Sequence, residues 1–168
     1  RVVDERIAAG LYAWDLETTG LDNRVFFNAD GTHSMNDRIV GHCLSPDGVR
    51  GYYIPIRHMT GQGELHSANL PVSAVNRAMI RLAESPAVAI FHNSKFDCEF
   101  LQFGEPVTIG EWDDRKKFHD TLALAYLRNT RERNKGLKAL ALSLLGNEMI
   151  ELDELFTDEE KKGGYRNF

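Results

Sequence analysis

The stretch GLYAWDLETTG, residues 10–20, alternates in character: Leu11, Ala13, Asp15 and Glu17 fall on one face of an extended chain, Tyr12, Trp14 and Leu16 on the other. That period of two predicts a β-strand with an aromatic face turned to the core, and it points two carboxylates the same way. Residues two apart on a strand are separated by roughly 6.5–7 Å at Cα, so both acids reach a common point without further folding. Like charges so placed repel. Partial burial adds a desolvation cost on the order of several kcal/mol per ion unless a cation lies between them. A divalent metal ion meets that requirement.

Working outward, residues 23–38, NRVFFNADGTHSMNDR, are polar and turn-rich. IVGHCLS (39–45) and GYYIPI (51–56) read as strands, and Pro46, Asp47 and Gly48 between them predict a hairpin. Val75, Met79 and Leu82 recur at helical spacing in PVSAVNRAMIRLAES (71–85), and Pro86 stops that helix. AVAIFHN (87–93) is an apolar run of the kind found in a sheet covered on both faces. A helix at SKFDCEFLQF (94–103), a short strand at KKFHD (116–120), helices through TLALAYLRN (121–129) and GLKALALSLLG (136–146), and a last turn at LDELF (152–156) complete the pattern. Strands come first, then strand and helix alternate. The expected fold is α/β: a mixed sheet with an antiparallel hairpin at one edge and helices on both faces.

The 168 residues, 42% of them hydrophobic, suit one domain over 1–168. No run approaches the roughly 18–20 apolar residues of a membrane span, and RVVDERIAAG lacks the plan of a signal peptide, so no membrane partner and a cytoplasmic location are expected. A start at Arg1 rather than Met suggests a piece of something longer. Cys43 and Cys98, far apart in apolar surroundings, read as free buried thiols. A net charge of -5 argues against a general electrostatic nucleic-acid binder, while leaving room for a local basic patch. The run RNTRERNK, with Arg128, Arg131, Arg133 and Lys135, is ordinarily a solvated loop between helices and would touch phosphates only if it faces the acids; Lys95, Lys116 and Lys117 make a weaker case of the same kind.

A second informative stretch is FHNSKFDCEF, residues 91–100, where the apolar strand runs into a helix. Ser94 is placed to be its N-cap, which sets Asp97 three residues on, beside free backbone N–H groups and the positive helix end. Alone this is an ordinary capping box. Its company changes the reading: open α/β sheets bind ligands past the C-terminal ends of their strands, and Asp15 and Glu17 end a strand expected to lie alongside. Thr18-Thr19-Gly20-Leu21-Asp22 then forms a turn whose Gly20 permits close approach of a ligand.

DLETTGLD (15–22) and HNSKFD (92–97) resemble the first and second motifs of the DEDD superfamily of 3′-to-5′ exonucleases, which have a ribonuclease H-like fold. With GYYIPI, HNSKFDCEFL, FHDTLALAYL and GLKALALSLLG, the chain is similar over about residues 11–156 to the proofreading exonuclease domain of family A DNA polymerases of phages and bacteria. The resemblance implies that Asp15, Glu17 and Asp97 hold two divalent ions, Mg2+ or Mn2+, that cleave the terminal phosphodiester. Such hard ions prefer oxygen ligands and keep several waters. It also implies that Thr18 and Leu21 contact or wedge the terminal nucleotides, that Asn93 and Phe96 line a path for a single-stranded DNA 3′ end, and that a polymerase domain is the partner. Phe96 serves equally well as a helix core residue through its spacing to Phe100.

The sequence departs from the family in one place. A third motif, Tyr-x-x-x-Asp or His-x-x-x-x-Asp, is expected after the second; Tyr126 is followed four residues later by Thr130, and His92 fits only with Asp97, already in use. The chain is therefore expected to stop short of the motif, with a mobile tail over 157–168 and weak or absent turnover as it stands. Asp120 is read as the cap of the following helix rather than a substitute fourth acid. His33, His42, His58, His66 and His119 lack metal-ligand spacing and are read as structural or exposed. Two alternatives stand beside the DNA exonuclease: a non-catalytic DNA-binding or scaffold module of the same fold, and an RNA-trimming exonuclease of the same superfamily.

Overall fold

The computed structural model describes residues 2–104, 118–131, 133–150 and 154. In chain order the elements are α1 (Val2–Ala9), β1 (Leu11–Thr18), β2 (Val25–Phe27), β3 (His33–Met35), β4 (Ile39–Ser45), β5 (Tyr52–Pro55), α2 (Val72–Ala83), β6 (Val88–Phe91), α3 (Ser94–Phe103), β7 (Phe118–Asp120), α4 (Thr121–Arg128) and α5 (Leu137–Leu145). The expected turn at 152–156, apart from Glu154, the tail 157–168, and Lys116 and Lys117 lie outside the described residues.

Five strands form a mixed sheet in the order β5-β4-β1-β6-β7. The hairpin expected through Pro46–Gly48 is present: β4 and β5 pair antiparallel, and β4 pairs antiparallel with β1. On the other side β1, β6 and β7 run parallel. The alternation read in β1 is the alternation observed. Tyr12, Trp14 and Leu16 are buried, whereas Leu11, Ala13, Asp15 and Glu17 are open. The buried face packs against Val75, Met79 and Leu82 of α2 and Phe100 and Leu101 of α3 in one core. Trp14 lies at its centre, stacked on Phe91 with ring centroids 5.9 Å apart and donating its indole N–H to His42 Nδ1 at 3.3 Å. His42 is thus a buried core histidine whose Nδ1 accepts from Trp14.

Three elements, α1, β2 and β3, were not anticipated. The N-terminal segment, expected only to lack a signal peptide, forms α1; it packs on α2, contributes Val3 to the core and pairs Asp4 with Arg81. Its Arg6 is fully buried with the guanidinium 4.5 Å from the Tyr52 ring centroid, a cation–π contact. The polar stretch 23–38 contains the small antiparallel pair β2–β3. Three-residue strands with no buried side chain carry no hydrophobic period, so they leave no pattern in the sequence.

Candidate metal and nucleic-acid site

Parallel pairing of β1 with β6 stops at Ala13–Ile90, and β6 itself ends at Phe91. β1 continues past it to Thr18. The Leu16 N–H therefore projects beyond the last ladder partner, and a buried peptide donor needs an acceptor. Asp97 of α3 supplies it: a carboxylate oxygen accepts from Leu16 N–H at 3.1 Å. This contact, 81 residues apart in sequence, docks the start of α3 against the end of β1 and carries a third acid to the strand that bears Asp15 and Glu17.

Asp15 and Glu17 lie on the open face of the sheet. Their carboxylate oxygens and the Cys43 Sγ fall within 4.8 Å of one another, because Asp15 and Cys43 are register partners on β1 and β4. Desolvation, partly offset by the Leu16 backbone and the neighbouring His92, raises the Asp15 carboxyl above its ordinary range. Desolvation and the charge of Asp15 raise Glu17. Asp97 is buried, and desolvation followed by the charge of Asp15 pushes it up to about 7. Among the described residues none of the three is in an ion pair. The arrangement gathers carboxylates with only the neighbouring His92 to offset their charge, a condition a dication relieves.

The local geometry of α3 corrects the capping expectation. Asn93, in the left-handed conformation at φ 68°, is the cap residue, and Ser94 is the first residue of the helix. The Ser94 hydroxyl donates instead to Asp120, at 2.7 Å. The Asp97 carboxylate reaches out of its own helix to accept from Leu16 N–H of the neighbouring strand. Asp120 behaves as the sequence predicts: it caps α4 by accepting from the N–H groups of Leu122 and Ala123, at 2.8 and 3.3 Å. Gly20 also has a different reason for being glycine. A β-carbon there would overlap the Asp37 carboxylate, which accepts from the Thr19 hydroxyl at 2.8 Å and the Asp22 N–H at 2.8 Å and so pins the turn after β1. What approaches Gly20 closely is the protein's own side chain.

Thr18 spends its hydroxyl inside the same turn, donating to the Gly20 carbonyl at 2.6 Å. Leu21 beyond it is 85% exposed, with no packing of its own to lose. Asn93 is exposed at the tip of the β6–α3 connection. Phe96 is half-buried, packed on the core with its ring 5.0 Å from Phe100, so the helix-core role is met while part of the ring stays open. A groove of about 410 Å3 opens on the same sheet face, lined among others by Asp15, Cys43, Tyr53, His92, Thr121 and Leu137. Tyr53, and the place of Cys43 beside the acids, escaped the sequence reading, because cross-strand register is not a local property. Cys43 is half-buried and unbridged, as expected of a free thiol.

No family model matches the chain. The sheet order and the helices around it are those of a ribonuclease H-like mixed α/β fold. Brucella melitensis NrnC with bound Mg2+ superposes with a TM-score of 0.59 at 19% identity, over 96% of this chain and 68% of that one. Escherichia coli RNase D, described as an exoribonuclease involved in structured RNA processing, gives 0.54 at 13% identity over 99% and 37%. In sequence the chain is similar to DNA polymerases: 26% identical over 165 residues to DNA polymerase I of Rhizobium leguminosarum, and 32% over 71 residues to the DNA polymerase of Escherichia phage T5. These matches take up 89% and 41% of this chain, but only 14% and 8% of the respective polymerases. The expected resemblance thus holds in fold, shared with solved nuclease structures, and in sequence relatives that are DNA polymerases. No helix among the described residues is long and apolar enough to cross a membrane.

Proposed function

We propose that the chain is a metal-dependent 3′-to-5′ exonuclease domain that acts on the single-stranded 3′ end of DNA within a polymerase. One observation carries the proposal: two carboxylates on one strand converge to within 4.8 Å, one of them on the wall of a groove, while a third, from α3, is charge-coupled to Asp15 and has no counter-ion among the described residues. Asp15 and Glu17 are the direct ligands in this reading, and Asp97 completes the set. Oxygen donors of this kind suit Mg2+ or Mn2+. Bound there, such ions would supply Lewis-acid stabilisation of the scissile phosphate and a nucleophilic water.

The chain's own residues provide the rest. Leu21 projects as an apolar wedge for the terminal base. Asn93 and the open edge of Phe96 line the approach of the strand, with stacking on an aromatic worth on the order of 1–3 kcal/mol per base. Thr18 holds the turn that presents Leu21. The polymerase relatives favour DNA over RNA; the likeness to RNase D supports the fold alone.

The test is a titration of Mn2+ against melting temperature. Stabilisation should rise as RT ln(1 + [Mn2+]/Kd), about 2.7 kcal/mol at a hundredfold excess over Kd, and should vanish in Asp15→Ala. Equal stabilisation of the two proteins would remove the metal site and the nuclease assignment with it. Labelled oligothymidylate and oligouridylate, compared in the presence of Mn2+, decide between DNA and RNA.

A further inference from the structure

The acid cluster has a neighbour on the open sheet face that the proposed function leaves unused. Register sets Asp15 opposite Cys43 and Cys43 opposite Tyr53, while Glu17 stands opposite Gly41. Tyr53 does not stand upright in its row. Its ring lies across Gly41, where any β-carbon would overlap both the ring and the phenol oxygen. Glycine at 41 is what lets the phenol reach from β5 over β4 towards Glu17. Opposed side chains on one face of a sheet have β-carbons about 4.5–5.5 Å apart, so the phenol oxygen, over Gly41, occupies the place next to Glu17. Desolvation, then the charges of Cys43 and Glu17, raise the phenol's pKa.

The far side of this phenol is anchored. Its oxygen is hydrogen-bonded to His58 Nε2, and the two rings meet edge to face with centroids 5.5 Å apart. His58 is fixed in turn by Asn69, whose side chain accepts from the His58 N–H at 2.9 Å and donates to its carbonyl at 2.7 Å. The His66 N–H donates to the same carbonyl at 2.8 Å. A phenol offers one donor and two acceptor sites; with the imidazole proton on His58 Nε2, His58 donates to the phenol oxygen and the phenol O–H is left for Glu17.

We propose that Tyr53, held by His58, is a positioning residue for Glu17: its hydroxyl fixes the carboxylate, directly or through one water, in the rotamer that shares a dication with Asp15. The inference rests on the nuclease reading of Asp15 and Glu17. It concerns ligand orientation, in the way that partners behind metal ligands set affinity, typically by 10- to 100-fold when the partner is a direct one.

Free Mn2+ measured by electron paramagnetic resonance gives the dissociation constant without reference to turnover. Tyr53→Phe keeps the ring over Gly41 and removes only the hydroxyl; it should weaken Mn2+ binding roughly five- to tenfold and leave the metal-free melting temperature unchanged within about 1 °C. His58→Leu should weaken binding to a similar degree, and His58→Gln, which restores a hydrogen-bonding end, should return it to within about twofold of wild type. The double variant Tyr53→Phe/His58→Leu should be no worse than either alone, since both break one connection. Should Tyr53→Phe lower the metal-free melting temperature, the contrast between His58→Leu and His58→Gln carries the test. Mn2+ binding that depends on Asp15 but is the same in Tyr53→Phe, or as weak in His58→Gln as in His58→Leu, overturns this inference and leaves the nuclease reading standing. No Asp15-dependent Mn2+ binding in the wild type overturns both.

Discussion

Burial behind α3 and the charge of Asp15 push the Asp97 carboxyl up to about 7 from an ordinary value of 3.8. Between those values the folded protein holds a proton that the unfolded chain has released. The stability Asp97 contributes is therefore fully present below about pH 4 and is lost as the pH rises through 7. Asp15 and Glu17, also raised, add in the same direction. Asp47, held at about 2 by backbone N–H groups of Arg50 and Val49 and by the Arg50 side chain, acts oppositely, but only below pH 4. Asn at 97 keeps an oxygen for the Leu16 N–H and discards the charge. In metal-free buffer at pH 8, Asp97→Asn should be more stable than wild type, by on the order of a few kcal/mol, and should flatten the decline in melting temperature between pH 4 and 7. The same variant should lose most of its stabilisation by Mn2+. A variant less stable than wild type at pH 8 would mean that the carboxylate is already compensated. Asp15 and Glu17 were legible because a two-residue period is written in eleven consecutive letters. The acceptor role of Asp97 was not, since it depends on where a different strand stops.

The starts of α3 and α4 share one carboxylate. Asp120, the last residue of β7, accepts from Leu122 and Ala123 at the head of α4, and from the Asn93 N–H at 3.1 Å and the Ser94 N–H at 2.8 Å at the head of α3. Desolvation raises its pKa, but the hydrogen bonds from Ser94, Asn93 and Ala123 outweigh that and hold it below the ordinary carboxylate range. The stability it confers is present above about pH 4 and is lost as the pH falls through the lowered value. Asp120→Ala leaves four backbone donors short of an acceptor and should cost about 2–3 kcal/mol, read from chemical denaturation at pH 7. A cap and a fourth metal ligand part company here: Mn2+ affinity should stay within about threefold of wild type. A loss as large as that of Asp15→Ala would reassign Asp120 to the metal. The bounds of α3 coincide with the stretch read as a helix in the sequence, and β4 likewise, because each carries its own period between clear stops. α1 and the β2–β3 pair left no such trace; α1 is held by its packing on α2, and β2–β3 by a partner strand rather than by any alternation.

Burial is unevenly shared across the molecule. α2 places five residues in the buried class, whereas α4 places none and α5 only Leu140. Leu124, Leu127, Leu142 and Leu145 are 51%, 82%, 56% and 72% exposed. A leucine so exposed contributes little to folding, because the hydrophobic gain scales with area removed from water. It adds instead to apolar surface that other molecules can cover. Exchanging Leu127 and Leu145 for Gln holds the net charge at -5 and nearly preserves helix propensity, so any change reflects apolar exposure alone. Leu127→Gln/Leu145→Gln should melt within about 2 °C of wild type, while light scattering sets in at a higher protein concentration. Mn2+ binding should be unchanged, since both residues lie outside the groove beside Asp15. A melting temperature lowered by 5 °C or more would show that these leucines are packed in solution.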